Sequence, residues 1–174
     1  GNWGGNIGGD GGGLIKLNTI NIISDGLIQS NGGESQGSAA GDGSGGGINI
    51  NTQTLSGSGG IYTNGGGSGN GTGGGGGRIA ISNLDMSTMD QGNVKALGGF
   101  GYYGNGANGT VVFIQSNKAE LVLTGQGPSS PWIDLTIPPG YVFDSVTFRD
   151  NARVIAHDLF TVTGKVLVTG NSIL

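Results

Sequence analysis

The chain has 174 residues, of which 42 are glycine and none is cysteine, with seven Lys and Arg against eleven Asp and Glu. The sparse, scattered cations argue against a nucleic-acid partner, and no apolar run reaches the roughly 18 residues that direct membrane insertion needs. Without cysteine there is no disulfide framework, thiolate metal site or cysteine nucleophile, and the glycines lack the strict three-residue period and the proline of collagen.

Short apolar alternations separate the glycine tracts. GGG-LIKL at 11–17, GGG-INI at 45–50, GGGGGRIAI at 73–81 and NGT-VVFI at 108–114 each join a glycine-rich approach to a strand pattern. Residues 17–33 (LNTINIISDGLIQSNGG) overlay residues 50–66 (INTQTLSGSGGIYTNGG) without a gap at an offset of 33. The identities are Asn18/Asn51, Thr19/Thr52, Gly26/Gly59, Ile28/Ile61, Asn31/Asn64 and the two closing glycines. A third copy over 81–99 needs two extra residues, and a fourth starts near Val112.

Each repeat predicts three short strands. Inward residues of the first are Ile15 and Leu17, then Ile48 and Ile50, Ile79 and Ile81, Val112 and Ile114. The second strand offers Ile20 and Ile22, Leu55, and Leu84 and Met86; the third offers Ile28, Ile61 and Val94. A fixed period with equivalent corners favours parallel strands stacked about 4.8 Å apart in a β-solenoid. An antiparallel sandwich requires no such period, and a propeller blade needs four strands.

The long loops 31–47, 64–77 and 98–110 are either mobile or stacked on one another. Ordering a backbone costs about 1–2 kcal/mol per residue, comparable over one loop with what the few buried aliphatics of a coil return. Glycines lack a Cβ, so neighbouring loops could approach closely enough for main-chain hydrogen bonding, and the stacked form is expected.

Beyond residue 117 the glycine tracts give way to Val, Phe and Leu. Val142, Val146 and Phe148 align with Val162, Val166 and Val168, which predicts tighter coils, with Pro128, Pro131, Pro138 and Pro139 in turns or at the rim. The expected organisation is all-β: glycine-rich coils of about 33 residues over 1–115, then tighter coils over 116–174 continuing the same solenoid. A linker between separate domains is the alternative. The chain reads as a piece of a longer protein.

GGGGGRIAI, GSGGGINI, LSGSGGIYTNGG and VTFRDNARVIA resemble the glycine-rich repeats of large secreted and cell-surface proteins, common among bacterial adhesins. Those repeats are assigned to the pectin-lyase-like right-handed parallel β-helix class. The resemblance covers residues 10–109 best, and it implies an extended extracellular rod, stalk or filament that serves attachment, spacing or surface recognition. It brings no catalytic motif.

GNGTGGGGGR at 69–78 lacks the GK[ST] ending of a phosphate loop and runs into a strand, so Arg78 reads as a non-catalytic residue at the strand start, solvated or bonded to loop carbonyls. Asp10 and Asp42 sit singly in glycine loops without tandem nonapeptide spacing, which makes them turn formers bonded to their own backbone rather than calcium ligands. No metal or cofactor is expected.

Arg149, Asp150, Arg153, His157 and Asp158 are the densest ionisable cluster, and on them rests the alternative of a polysaccharide lyase or hydrolase. Glycan recognition is placed on Phe100, Tyr102 and Tyr103 in the GFGYYGNG loop and on Trp132; Trp3 also neighbours glycine. Isolated Thr-x-Thr pairs do not form the rows that ice binding needs. Asn70 and Asn108 head N-glycosylation patterns that are equally ordinary Asn-Gly turns. The expected partners are other copies or flanking domains of the same surface protein, and glycans.

Overall fold

A computed structural model describes residues 5–37, 39–69, 71–85, 89–115, 118–126, 130–137 and 140–174; Trp3, Asn70, Met86, Pro128, Pro138, Pro139 and the side chain of Leu84 lie outside the described set. The fold is all-β. Strand β1 (Leu14–Asn18) alternates, with Ile15 and Leu17 turned to the core. It pairs in parallel with β4 (Gly47–Ser56), Leu14 opposite Gly47 and Leu17 opposite Ile50. The ladder continues in parallel through β6 (Arg78–Asp85) to β8 (Thr110–Gln115), aligning Ile50, Ile81 and Phe113.

Two features of this sheet differ from the sequence pattern. Strand β2 (Asn21–Ile23) also pairs with β4, so the first and second strands of a repeat share one sheet, and in the second repeat they merge into one strand. The predicted inward pair Val112 and Ile114 is corrected to Val111 and Phe113, which are buried, while Ile114 is 37% exposed. Register decides this: Arg78 lies opposite Thr110, and a slip of one residue sends every side chain to the other face. Ile20 is likewise exposed; only its carbonyl serves the fold, accepting from the Thr52 hydroxyl at 2.9 Å.

A second parallel sheet of β3 (Leu27–Gln29), β5 (Gly60–Tyr62) and β7 (Val94–Lys95) aligns Ile28, Ile61 and Val94 as the period predicts. Its inner residues pack with Ile48, Ile50, Leu55, Ile79, Ile81, Val111 and Phe113 in one core. Side-chain ladders tie the repeats at their corners. Asn31 Oδ1 accepts from the Asn64 N–H at 2.8 Å, and Asn64 Oδ1 accepts from the Leu97 N–H at 2.9 Å. Asp25 accepts from the Ser58 N–H at 2.9 Å in the same way.

The glycine tracts form a hydrogen-bonded layer. Along the stack Gly9 and Gly12 donate to Gly41 and Ser44, Asp42 and Gly45 to Thr72 and Gly75, and Gly73 and Gly76 to Gly104 and Ala107, at 2.8–3.0 Å. Bonds to one neighbour recur every third residue, the repeat of a polyproline II helix, which makes no hydrogen bonds within itself. Across the layer Gly43 and Gly46 donate to Gly33 and Ser30, Gly74 and Gly77 to Gly66 and Thr63, and Gly106 and Gly109 to Gly99 and Ala96.

This packing explains the composition. A Cβ on Gly43, Gly74 or Gly106 would lie under 3.0 Å from the carbonyl oxygen of Asp10, Gly43 or Gly74 respectively, closer than any Cβ tolerates. In the first such segment the corresponding position is Asp10, which is exposed. At the other end, the layer is closed by amide side chains. Asn108 Oδ1 accepts from the Gly98 N–H at 2.7 Å and from Gln126 Nε2 at 2.8 Å, and its Nδ2 donates to the Thr124 carbonyl. Asn108 is buried by these contacts, so its reading as a glycosylation acceptor is replaced by that of a cap.

From β8 the large sheet runs without a break into β9 (Lys118–Thr124), but antiparallel, so the strand direction reverses there. Beyond it β9, β11 (Val142–Arg149) and β13 (Thr161–Val168) are again parallel. Val146 and Phe148 meet Val166 and Val168 as predicted; a bulge after Phe143 shifts the remainder, so that Val162 lies opposite Phe143 instead of Val142. Strands β10 (Trp132–Leu135) and β12 (Arg153–Ala156) make a small parallel sheet, and Leu121, Leu123, Ile133, Leu135, Phe143, Phe148 and Val154 fill a second core.

Candidate functional site

The outward column Leu14, Gly47, Arg78 and Thr110 marks the seam between glycine layer and large sheet. Near its end the seam is flanked by β10, whose alternation buries Ile133 and Leu135 and leaves Trp132 and Asp134 outward. Three cavities adjoin here. One of about 340 Å³ lies between residues 44–47 and Gly76–Arg78, and one of about 280 Å³ lies between residues 75–78, 107–110 and Trp132–Asp134. The third, about 610 Å³, is lined by Arg78, Thr110, Asp134 and Tyr141 around apolar walls that include Leu121 and Phe143.

Arg78 borders all three cavities, and Thr110 and Asp134 border two, so the cavities lie side by side as a trench along the seam. Its walls draw on β4, β6, β8, β9 and β11, neighbours about 4.8 Å apart, for a length of about 19 Å. The Arg78 guanidinium has no hydrogen bond or ion pair among the described residues and is exposed. Asp134 Oδ1 lies 3.1 Å from His157 Nε2. The Arg153 guanidinium stacks on the Trp132 ring at 4.3 Å, which fixes the orientation of an indole that is 39% exposed. The Gly75 N–H, on the outward third of its segment, is not taken up by the layer.

The predicted aromatic residues fall into two places. Phe100, Tyr102 and Tyr103 are exposed at the loop tip of the third repeat, where the two tyrosine rings meet edge to face at 5.1 Å. Trp132 belongs to the trench. Of the ionisable residues of 149–158, Arg153 covers Trp132 and His157 pairs with Asp134 at the trench, while Arg149 Nε donates to the Thr124 hydroxyl at 3.0 Å.

Arg78, Asp134 and Tyr141 were not singled out for recognition by the sequence. Arg78 is far along the chain from Asp134 and Tyr141, and only the folding of β10 and the segment after it against the seam brings them to one cavity. Asp42, read as a turn former, reaches further than its own turn. It accepts from the Ser35 N–H at 2.7 Å and the Ser68 N–H at 2.8 Å. Desolvation pushes its pKa up, but hydrogen bonds from Ser35 and Ser68 outweigh this and hold it down at about 2. Comparison with protein-family models, with curated proteins and with solved structures gives no match.

Proposed function

We propose that the chain is a non-enzymatic scaffold and interaction segment of an extracellular surface protein, whose glycine-rich repeats are built as a right-handed parallel β-helix. The observation that carries this reading is the double periodicity. Strands and glycine segments advance together along one direction, and each repeat supplies the template for the next. Parallel crossovers are right-handed in nearly all folds, which supports the assigned hand. A framework that satisfies its loop backbone through neighbouring loops is suited to spacing and display, because its rigidity does not depend on a ligand.

Two measurements test the proposal. Amide exchange at Gly43, Gly66, Gly74 and Gly77 should be as slow as in β4 and β6; fast exchange through residues 64–77 would remove the scaffold argument. Incubation with a panel of polysaccharides should release no reducing ends or unsaturated products, and a reproducible release would overturn the non-enzymatic reading.

A further inference from the structure

We propose that the trench at Arg78 binds an extended neutral oligosaccharide, in the orientation that lays sugar faces on Trp132 and Tyr141 and sugar hydroxyls between Arg78 and Asp134. This names the ligand class of the interaction segment and rests on that reading. Four observations converge on it. Three adjoining cavities make up the trench, and Arg78 borders each of them. That guanidinium is unpaired in a chain with few cations, so its donors are free for a ligand. Asp134 lines two of the same cavities and keeps Oδ2 as an acceptor beyond the oxygen that faces His157, and a donor and an acceptor in one cavity match hydroxyls, which both donate and accept. Trp132 and Tyr141 are 39% and 58% exposed, Trp132 beside the glycine wall and Tyr141 among apolar walls that suit C–H faces.

The same features discriminate among ligands. A uronate or sulfate would gain from Arg78 and lose against Asp134, and a nucleic acid would find only Arg78 and the Trp132-stacked Arg153 where a run of cations is needed. The indole is already held by Arg153, so little side-chain freedom is lost when a sugar stacks on it. Gly75, whose N–H donates to no backbone carbonyl among the described residues, lines the same cavity as Trp132.

Calorimetric titration of the full chain with cellohexaose, mannohexaose, xylohexaose and hexagalacturonic acid tests the assignment. At least one neutral hexasaccharide should bind, and Arg78→Ala and Trp132→Ala should each weaken it roughly tenfold or more. Both residues are exposed, so both variants should melt with the parent protein, which separates lost binding from lost fold. Tyr102→Ala, at the distant loop tip, should bind as tightly as the parent. Absence of binding to every neutral probe at millimolar concentration, binding of hexagalacturonic acid alone, or binding indifferent to Arg78 and Trp132 would each overturn the proposal. None of these results would alter amide exchange in the glycine layer, so the scaffold reading stands or falls separately.

Discussion

Alanine substitution through Gly73–Gly77 should produce a pattern with one tolerant position, not a uniform loss. At Gly74 a Cβ would lie under 3.0 Å from the Gly43 carbonyl oxygen, and backbone has no rotamer with which to yield. Overpacking of this kind costs about 1–3 kcal/mol. The displaced segment also strains the bond from Gly74 N–H to the Gly66 carbonyl at 3.0 Å and that from Gly99 N–H to the Gly74 carbonyl at 2.7 Å, each worth about 1 kcal/mol net. The sum, about 3–5 kcal/mol, lowers Tm by roughly 10 °C in a chain of this length. Gly73, Gly76 and Gly77 face equally close carbonyls and should behave alike. Gly75 faces outward, its Cβ would sit 3.7 Å from the Ala107 carbonyl oxygen, and its φ is not in the left-handed region. Gly75→Ala should therefore be neutral, or stabilise by about 0.4–1 kcal/mol through the unfolded chain. Five thermal melts decide the matter. Equal losses at all five positions, or a Gly75→Ala variant as damaged as Gly74→Ala, would refute the three-residue geometry of the layer.

Other expectations follow from single contacts. Because the folded pKa of Asp42 is lowered from 3.8 to about 2, its contribution is fully present above about pH 4 and is lost as pH falls through 2. Discounted for solvent screening it amounts to about 1 kcal/mol, and Asp42→Asn should flatten the acid limb of a Tm-against-pH curve; an unchanged limb contradicts the assignment. Asn108→Ala leaves the buried Gly98 N–H without its acceptor and should cost about 1–3 kcal/mol by urea denaturation, so an unaltered midpoint would show that the cap is dispensable. Asp10→Gly removes the only side chain at a position held by Gly43, Gly74 and Gly106 deeper in the layer. That variant should keep the parent Tm, because the Asp10 side chain is exposed and the backbone bonds of its segment are unchanged; a clear loss would mean that this side chain supports the layer.

The 33-residue period was readable because its rungs are chemical. Asn31 and Asn64 recur since each accepts a backbone N–H from the following repeat, and Ile28, Ile61 and Val94 recur since they stack. The fourth repeat was misread at VVFI, where both alternations are apolar; Thr110 donating to Gly77 fixes which one turns inward, and that bond leaves no mark in the local sequence. Glycine tracts announced close packing, yet a run of identical residues cannot show that Gly75 differs from Gly74. The trench was illegible for another reason. Trp132 and Asp134 are ordinary outward residues of a short strand, and only the three-dimensional neighbourhood of Arg78 gives them a shared purpose.

The glycine layer also has a calorimetric consequence. A chain of this length ordinarily unfolds with a heat-capacity increase of about 2.1–2.6 kcal/mol/K, most of it from hydration of newly exposed carbon. Here a large share of the backbone is held amide to amide with almost no side-chain carbon beneath it, and exposing amides lowers the increment. The increment should fall below that range, giving a flatter curve of stability against temperature. Such a curve keeps its shape in the cold, where a framework dependent on apolar burial would lose strength first.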